Sequence, residues 1–255
     1  MNELLNARQI SKTYALGKGN TYQALVNVSL IIKEGEFVSV MGPSGSGKST
    51  LLYSVSGMDR VDGGNITFEG RNIAKLTEKE LANLRLTRMG FVFQQSSLLK
   101  NLSIFDNIIV SAYLSGRDNR TDINGRAMKL MGQMGISHLK DNNITQVSGG
   151  ETQRASICRA LINEPAILFG DEPTGALNSS SAYEVMNIFN GINRKGGTIL
   201  LVTHDVKVAA RGDRVLFMSD GQIKGEYLLG RYLPGKNDWK KRETGLSQWL
   251  TERGF

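Results

Sequence analysis

Residues 42–50 read Gly-Pro-Ser-Gly-Ser-Gly-Lys-Ser-Thr and fit the pattern G-x-x-x-x-G-K-[ST]. Each residue type has a use if the ligand is a polyphosphate. Gly42, Gly45 and Gly47 let the backbone wrap closely with its N–H groups turned inward, where bulkier residues would obstruct. Lys48 supplies a point charge for the outer phosphates, and the hydroxyl of Ser49 can ligate Mg2+. Ser44, Ser46 and Thr50 belong to the same loop and are further candidate contacts. Downstream, the apolar run Ile167-Leu-Phe-Gly ends in Asp171 and Glu172. Asp171 suits Mg2+, directly or through water, as the acidic partner of Ser49. Glu172 suits a general base that polarises an attacking water. Alone, the two acids would read as a solvated pair closing a strand, and it is the upstream loop that favours chemistry. The loop establishes a nucleoside triphosphate site. It leaves the nucleotide and the outcome open, because small-molecule kinases, GTPases and motors share it.

Those residues need elements to hold them. The sequence places a buried strand, Phe37 to Met41, before the loop and a helix over 50–57 after it, whose positive end near Gly47 would face the phosphates. Residues 4–40 alternate short apolar runs with turns such as Lys33-Glu-Gly-Glu36, a strand signature, and residues 65–69 and 89–93 resume it. In the middle, roughly 96–163, Leu98, Leu99, Leu102, Ile108 and Ile109, then Ala127, Leu130, Met131 and Met134, recur near helical spacing. Residues 166–169 and 198–203 are apolar strand runs. Between them, Ala182, Val185, Met186, Phe189 and Ile192 share one helical face. Strand–helix–strand order implies a parallel sheet. Beyond Gly225 the pattern turns polar and ambiguous.

Composition narrows the class. Hydrophobic residues make up 40% and charged residues 22% of the 255, ordinary values for a globular chain. No apolar run nears the ~20 residues a membrane span needs. The start, Met1-Asn-Glu-Leu-Leu, lacks the basic and apolar regions of a signal peptide. The single cysteine, Cys158, has no internal disulfide partner, which fits a reducing cytosol. The formal charge of +7 has its densest run at 236–242, in the tail, and no aromatic residues interleave a basic stripe. That favours a solvated basic surface over a nucleic-acid interface.

Between the two chemical motifs lies Val147-Ser-Gly-Gly-Glu-Thr-Gln153, which reads as an anion-ready helix N-terminus. It resembles the LSGGxxQ signature of the ATP-binding cassette (ABC) ATPases. Tyr14 stands where that family has a ring that stacks on adenine, and Gln94, closing Met89-Gly-Phe-Val-Phe, matches its Q-loop glutamine. Pro173-Thr-Gly-Ala-Leu-Asn178 resembles the D-loop, and His204, ending Ile199-Leu-Leu-Val-Thr, resembles the switch histidine. The matches run in family order over about residues 4–225.

The resemblance implies an α/β fold: a P-loop NTPase (RecA-like) core, an N-terminal antiparallel β subdomain and a helical subdomain near 96–163, all within 1–225, with 226–255 as an extension. It implies a head-to-tail dimer sandwiching two ATP molecules. Lys48, Ser49, Asp171, Glu172 and His204 of one chain would face Ser148, Gly149 and Gly150 of the other, with Gln94 near the metal and Gln153 among the cofactor contacts. It further implies a separate transmembrane permease as partner, a peripheral position on the cytoplasmic side of the membrane, and no nucleic acid. Two positions depart from the pattern: Asn178 replaces the usual Asp, and Val147 the usual Leu. Phe91-Val-Phe-Gln-Gln and Asp171-Glu-Pro-Thr-Gly-Ala-Leu are most similar to the branch of lipoprotein-releasing, macrolide-export and bacitracin- or lantibiotic-resistance ATPases, so export, extraction or antimicrobial-peptide resistance is expected. The alternative is a nucleic-acid-associated ABC ATPase, a class that carries coiled-coil or zinc insertions or two fused units. A phosphoryl-transfer kinase is a third reading. In the tail, Leu246, Trp249 and Leu250 make one apolar helical face, expected to pack on the chain's own core. His138 carries no motif and is expected at the surface.

Overall fold

The computed structural model of the protein describes residues 2–17, 19–233 and 238–255. In chain order the strands and helices are β1 (Glu3–Gly17), β2 (Asn20–Lys33), β3 (Phe37–Met41), α1 (Lys48–Val55), β4 (Gly63–Phe68), β5 (Arg71–Asn72), α2 (Glu78–Arg88) and β6 (Met89–Phe93). There follow α3 (Ile104–Ser115), α4 (Arg120–Gln133), α5 (Gly149–Leu161), β7 (Ile167–Asp171), α6 (Ser179–Arg194), β8 (Thr198–Val202), α7 (Val206–Ala209), β9 (Arg214–Ser219), β10 (Gln222–Leu228) and α8 (Trp239–Thr251). They gather into two compact units, one from residues up to Leu81 joined by Asn193–Phe255, the other from Ala82–Ile192.

The first unit contains an antiparallel sheet in the order β2-β1-β4-β5 and a run of strands β10-β9-β3-β8. β3 pairs in parallel with both β8 and β9, Val38 lying opposite Leu200 and Arg214. Every residue of β3 and β8 is buried. Such strands read as largely apolar runs because both faces are covered, Ser39 and Thr198 being the polar members. β1 and β2 instead mix buried and exposed positions, the second half of β2 alternating, with Leu5, Ile10, Leu25 and Ile32 fully buried.

In the second unit β6 pairs in parallel with β7, from Met89 opposite Ile167 to Phe93 opposite Asp171. Helices α3, α4 and α5 begin at Ser103, Asn119 and Ser148, each accepting the backbone N–H three residues on. The loop before α3 is closed by Asn107, fully buried, which donates to the Leu99, Leu102 and Ser103 carbonyls and accepts from the Leu99 N–H. The apolar face of α6 is inward as expected, with Val185, Met186 and Phe189 buried.

The tail holds more structure than its sequence announced. β10 runs to Leu228, and α8 buries Leu246 and Leu250 in a cluster with Met41, Ala209, Ala210, Val215 and Phe217, Trp249 packing at its edge. Burying two leucines stabilises the docked helix by about 3–6 kcal/mol on transfer values. The basic run is not wholly solvated. Lys240 and Lys241 are exposed, but Arg242 is only 8% exposed, and the run's start at Lys236 lies outside the described residues.

Candidate functional site

The first unit carries the lysine loop between β3 and α1. Gly47 stands at the N-cap of α1 with φ 96°, supplies no side chain to its N–H groups, and no acid occupies the first turn. Where α3, α4 and α5 are all capped by side chains, this terminus has no side-chain cap and faces the loop instead. The loop is wound tightly. A Cβ on Gly42 would come within 2.0 Å of the Met218 carbonyl oxygen, and one on Gly47 within 2.4 Å of that of Ala24. On Gly45, φ 78°, a Cβ would meet nothing within 4 Å, so the middle of the loop opens outward. The Lys48 ammonium folds over the loop and donates to the carbonyls of Gly42 at 2.8 Å and Pro43 at 2.7 Å. Ser46 is buried, its carbonyl accepting from the Gly221 N–H at 3.2 Å. Ser44 is exposed, and Ser49 and Thr50 are half-buried in the first turn of α1. Backbone donors, a cation and hydroxyls so disposed fit a Mg2+-bound triphosphate, and Mg2+ takes phosphate oxygens and few protein ligands.

His204 is exposed just beyond β8. The Thr203 N–H bonds to the Val40 carbonyl at 3.1 Å, so in this parallel pair the histidine leaves at the edge where the lysine loop leaves β3. That edge is where open α/β sheets bind ligands. Asp205 caps α7 through the Lys207 N–H at 2.7 Å.

Tyr14, on β1, donates its hydroxyl to Asp59 at 2.6 Å, and Lys12 pairs with the other oxygen of Asp59 at 2.6 Å. Burial, then the Asp59 hydrogen bond, raises the Tyr14 pKa. For Asp59, burial pushes upward, yet the hydrogen bonds from Lys12 and Tyr14 outweigh it and hold its pKa low. Opposite Tyr14 on β2 is Tyr22, whose hydroxyl donates to the Gly45 carbonyl at 2.6 Å. Sequence reasoning missed Tyr22, and the available signal was its cross-strand position in the β1–β2 hairpin.

The second unit holds the other candidates. Gln94 follows β6, and Asp171 ends β7 with Glu172 just after it, its φ a left-handed 47°. A Cβ on Gly175 would fall 2.9 Å from Gln94 Nε2 and 3.3 Å from Glu172 Oε2, so both side chains meet over this glycine. Ser148 and Glu151 form a capping box: Glu151 accepts from the Ser148 N–H at 2.8 Å and its hydroxyl at 2.7 Å. These bonds, backbone first, hold the Glu151 pKa low. Ser148 and Gly149 are exposed; Gly150 is buried, because a Cβ there would meet Ser181 Oγ at 2.9 Å. Gln153 is 3% exposed, and its amide nitrogen donates to the Phe93 carbonyl at 3.0 Å and the Pro173 carbonyl at 2.7 Å. Asn178 accepts the Ser181 N–H at 2.9 Å at the start of α6. His138 is exposed, as expected. Cys158 is buried, and burial pushes its thiol up to about 12, which leaves it inert.

A parallel sheet with a glycine-lined lysine loop running from a strand end into a helix defines a P-loop nucleotide-binding protein. The solved structures it is similar to agree. A dimeric ATP-binding cassette in a post-hydrolysis state bound to ADP and Pi matches with a TM-score of 0.82 and 35% identity, over 89% of this chain and 100% of that one. The cassette cbiO1 from Clostridium perfringens, part of the ABC transporter complex cbiONQ, matches with a TM-score of 0.80 and 26% identity over 100% of this chain and 98% of its own. The family model for ABC transporters matches residues 25–175. The chain belongs to the ABC transporter family and carries that family's ATPase cassette.

Among curated relatives, the macrolide export ATP-binding/permease protein MacB of Chlorobaculum tepidum is 41% identical over 255 residues, 100% of this chain but 36% of its own length. The chain thus spans about a third of such relatives. The bacitracin export ATP-binding protein BceA of Halalkalibacterium halodurans is 41% identical over 86% of this chain and 87% of its own. The lipoprotein-releasing system ATP-binding protein LolD 1 of Chlorobium chlorochromatii is 39% identical over 87% and 91%. These are the branches the sequence resembled, and none of them supports the nucleic-acid alternative. Among the described residues, no helix is long and apolar enough to cross a membrane.

Proposed function

We propose that the chain binds ATP with Mg2+ at residues 42–50, hydrolyses it between two cassette copies, and so drives a membrane permease. The carrying observation is the tightly wound glycine loop leading into α1, with the Lys48 ammonium resting on loop carbonyls that phosphate oxygens can replace as acceptors. Tyr14 stacks on adenine. Ser49, Gln94 and Asp171 would hold Mg2+, which would offset charge on the phosphates. Glu172 takes a proton from the water whose oxygen bonds to the γ-phosphorus, while the bond to the bridging oxygen breaks and ADP leaves. His204 orients that water, and Ser148, Gly149 and Gly150 of the second copy grip the γ-phosphate. Gln153 is engaged with the Phe93 and Pro173 carbonyls, which supports a role in holding Gln94 and Glu172 rather than in touching nucleotide.

The cassette occupies 1–225 and the extension 226–255, the pair sitting at the cytoplasmic face of the membrane against its permease. The names of the relatives support export or extraction, antimicrobial peptides included. Asn178 keeps the cap an aspartate would give and lacks only its charge, so it tunes communication between the two sites rather than folding. Glu172→Gln tests the reading. The variant is expected to bind ATP, release almost no phosphate and accumulate as a nucleotide-trapped dimer. Phosphate release at the wild-type rate would remove Glu172 from the role of base.

A further inference from the structure

The proposed hydrolysis makes no use of α8, yet α8 is seated against its machinery. Leu246 and Leu250 pack on Met41, the last residue of β3 before the lysine loop, and on Ala209 and Ala210 at the end of α7. α7 is a single four-residue helix, and it begins two residues after His204. Arg242, from the first turn of α8, lies beneath that helix. Its guanidinium donates to the carbonyls of Ala210 at 2.9 Å, Gly212 at 2.7 Å, Leu229 at 2.9 Å and Gly230 at 3.0 Å. A planar fork can satisfy four fixed carbonyls at once, which an ammonium cannot.

The same turn is anchored from the other side by β3. Ser39 donates its hydroxyl to the Ala209 carbonyl at 3.3 Å, and the Phe37 N–H bonds to Asp213 Oδ2 at 2.9 Å. The contact is tight, since a Cβ on Gly212 would come 2.7 Å from Ser39 Oγ. Burial lowers the Arg242 pKa, yet at neutral pH an arginine keeps its charge. α7 is therefore clamped between a strand and an arginine, and His204 stands directly before the Asp205 that caps its start.

We infer that Arg242 is a positioning residue for His204: by fixing the Ala210 and Gly212 carbonyls it sets α7, and through α7 the histidine at the edge of the phosphate loop. This rests on the proposed role of His204 at the γ-phosphate. Displacements of about an ångström cost up to roughly 100-fold in rate. Arg242→Gln in the full chain is thus expected to lower kcat roughly 10- to 100-fold while the Kd for ATP stays within about twofold. Arg242→Lys, which keeps the charge but loses the fork, supplies the same reading if the glutamine variant does not fold. The deciding measurement is phosphate release by Arg242→Gln, His204→Ala and the double variant. If Arg242 acts through His204, the double variant is no slower than His204→Ala alone. Losses that multiply, or an unchanged kcat in folded Arg242→Lys, overturn the inference and leave the site reading intact. Wild-type turnover in His204→Ala instead sinks the site reading, and the inference with it.

Discussion

Gln153 tells a held site from a touched one. Its amide nitrogen gives both hydrogens to backbone carbonyls, that of Phe93 just before Gln94 and that of Pro173 just after Glu172. Gln153→Leu, one atom shorter, removes both donors. Each buried carbonyl left without a partner costs about 1–3 kcal/mol, while the leucine recovers part of this by no longer burying an amide. The net loss is about 2–4 kcal/mol, a factor of roughly 30–1,000 in the folding equilibrium. Because the lost bonds flank Gln94 and Glu172, part of that loss should surface as disorder around the proposed base. The assays are urea unfolding followed by circular dichroism, equilibrium nucleotide binding, and phosphate release at saturating ATP. The expected result is a lower unfolding midpoint and a lower kcat, with ATP affinity nearly unchanged. An affinity loss with stability intact would refute the reasoning, since it would mean the amide leaves its two carbonyls to bind nucleotide.

Two further predictions concern the loop and the signature helix. Gly47→Ala should lower Tm by more than about 4 °C, because a left-handed φ costs about 1–2 kcal/mol and the new Cβ also meets a carbonyl, whereas Gly45→Ala should cost only the backbone term. Equal melting shifts in the two variants would show that the close approach to Ala24 does not matter. Glu151, whose folded pKa is lowered by its capping bonds, contributes stability that is full above its unfolded value of about 4.3 and is lost as pH falls through the lower folded value. Amide exchange at Ser148 and Glu151 should therefore quicken only below about pH 4, and a flat profile down to full protonation would deny the capping box.

Much of this was legible because the local signals are strong. The strands before the lysine loop and before Asp171 are buried on both faces, so their residues are largely apolar, with Ser39 the exception in the first. The face of α6 repeats at helical spacing because one side of it is buried. What stayed hidden depended on partners distant along the chain. β9 reads as an ordinary mixed segment until its parallel pairing with β3 is known. Arg242 sits in a run of basic residues and reads as solvated, because nothing local announces the carbonyls it binds. Gln153 belongs to a motif whose neighbours Ser148 and Gly149 are exposed, so spacing alone placed it with them. Tyr22 became visible only once the β1–β2 register set it opposite Tyr14.

The strand that carries the lysine loop has both of its parallel neighbours in the last quarter of the chain. Phe37 bonds to Asp213, 176 residues away, and pairs with Ile199. The unit Ala82–Ile192, by contrast, is one continuous segment. During synthesis that middle segment can gather its own helices early, while the beginning must wait for β8, β9 and α8 to be made. An interrupted or clipped chain thus keeps its recognition sequences yet has no finished cradle for a triphosphate. Readiness to consume fuel depends on segments made long after the loop that holds it.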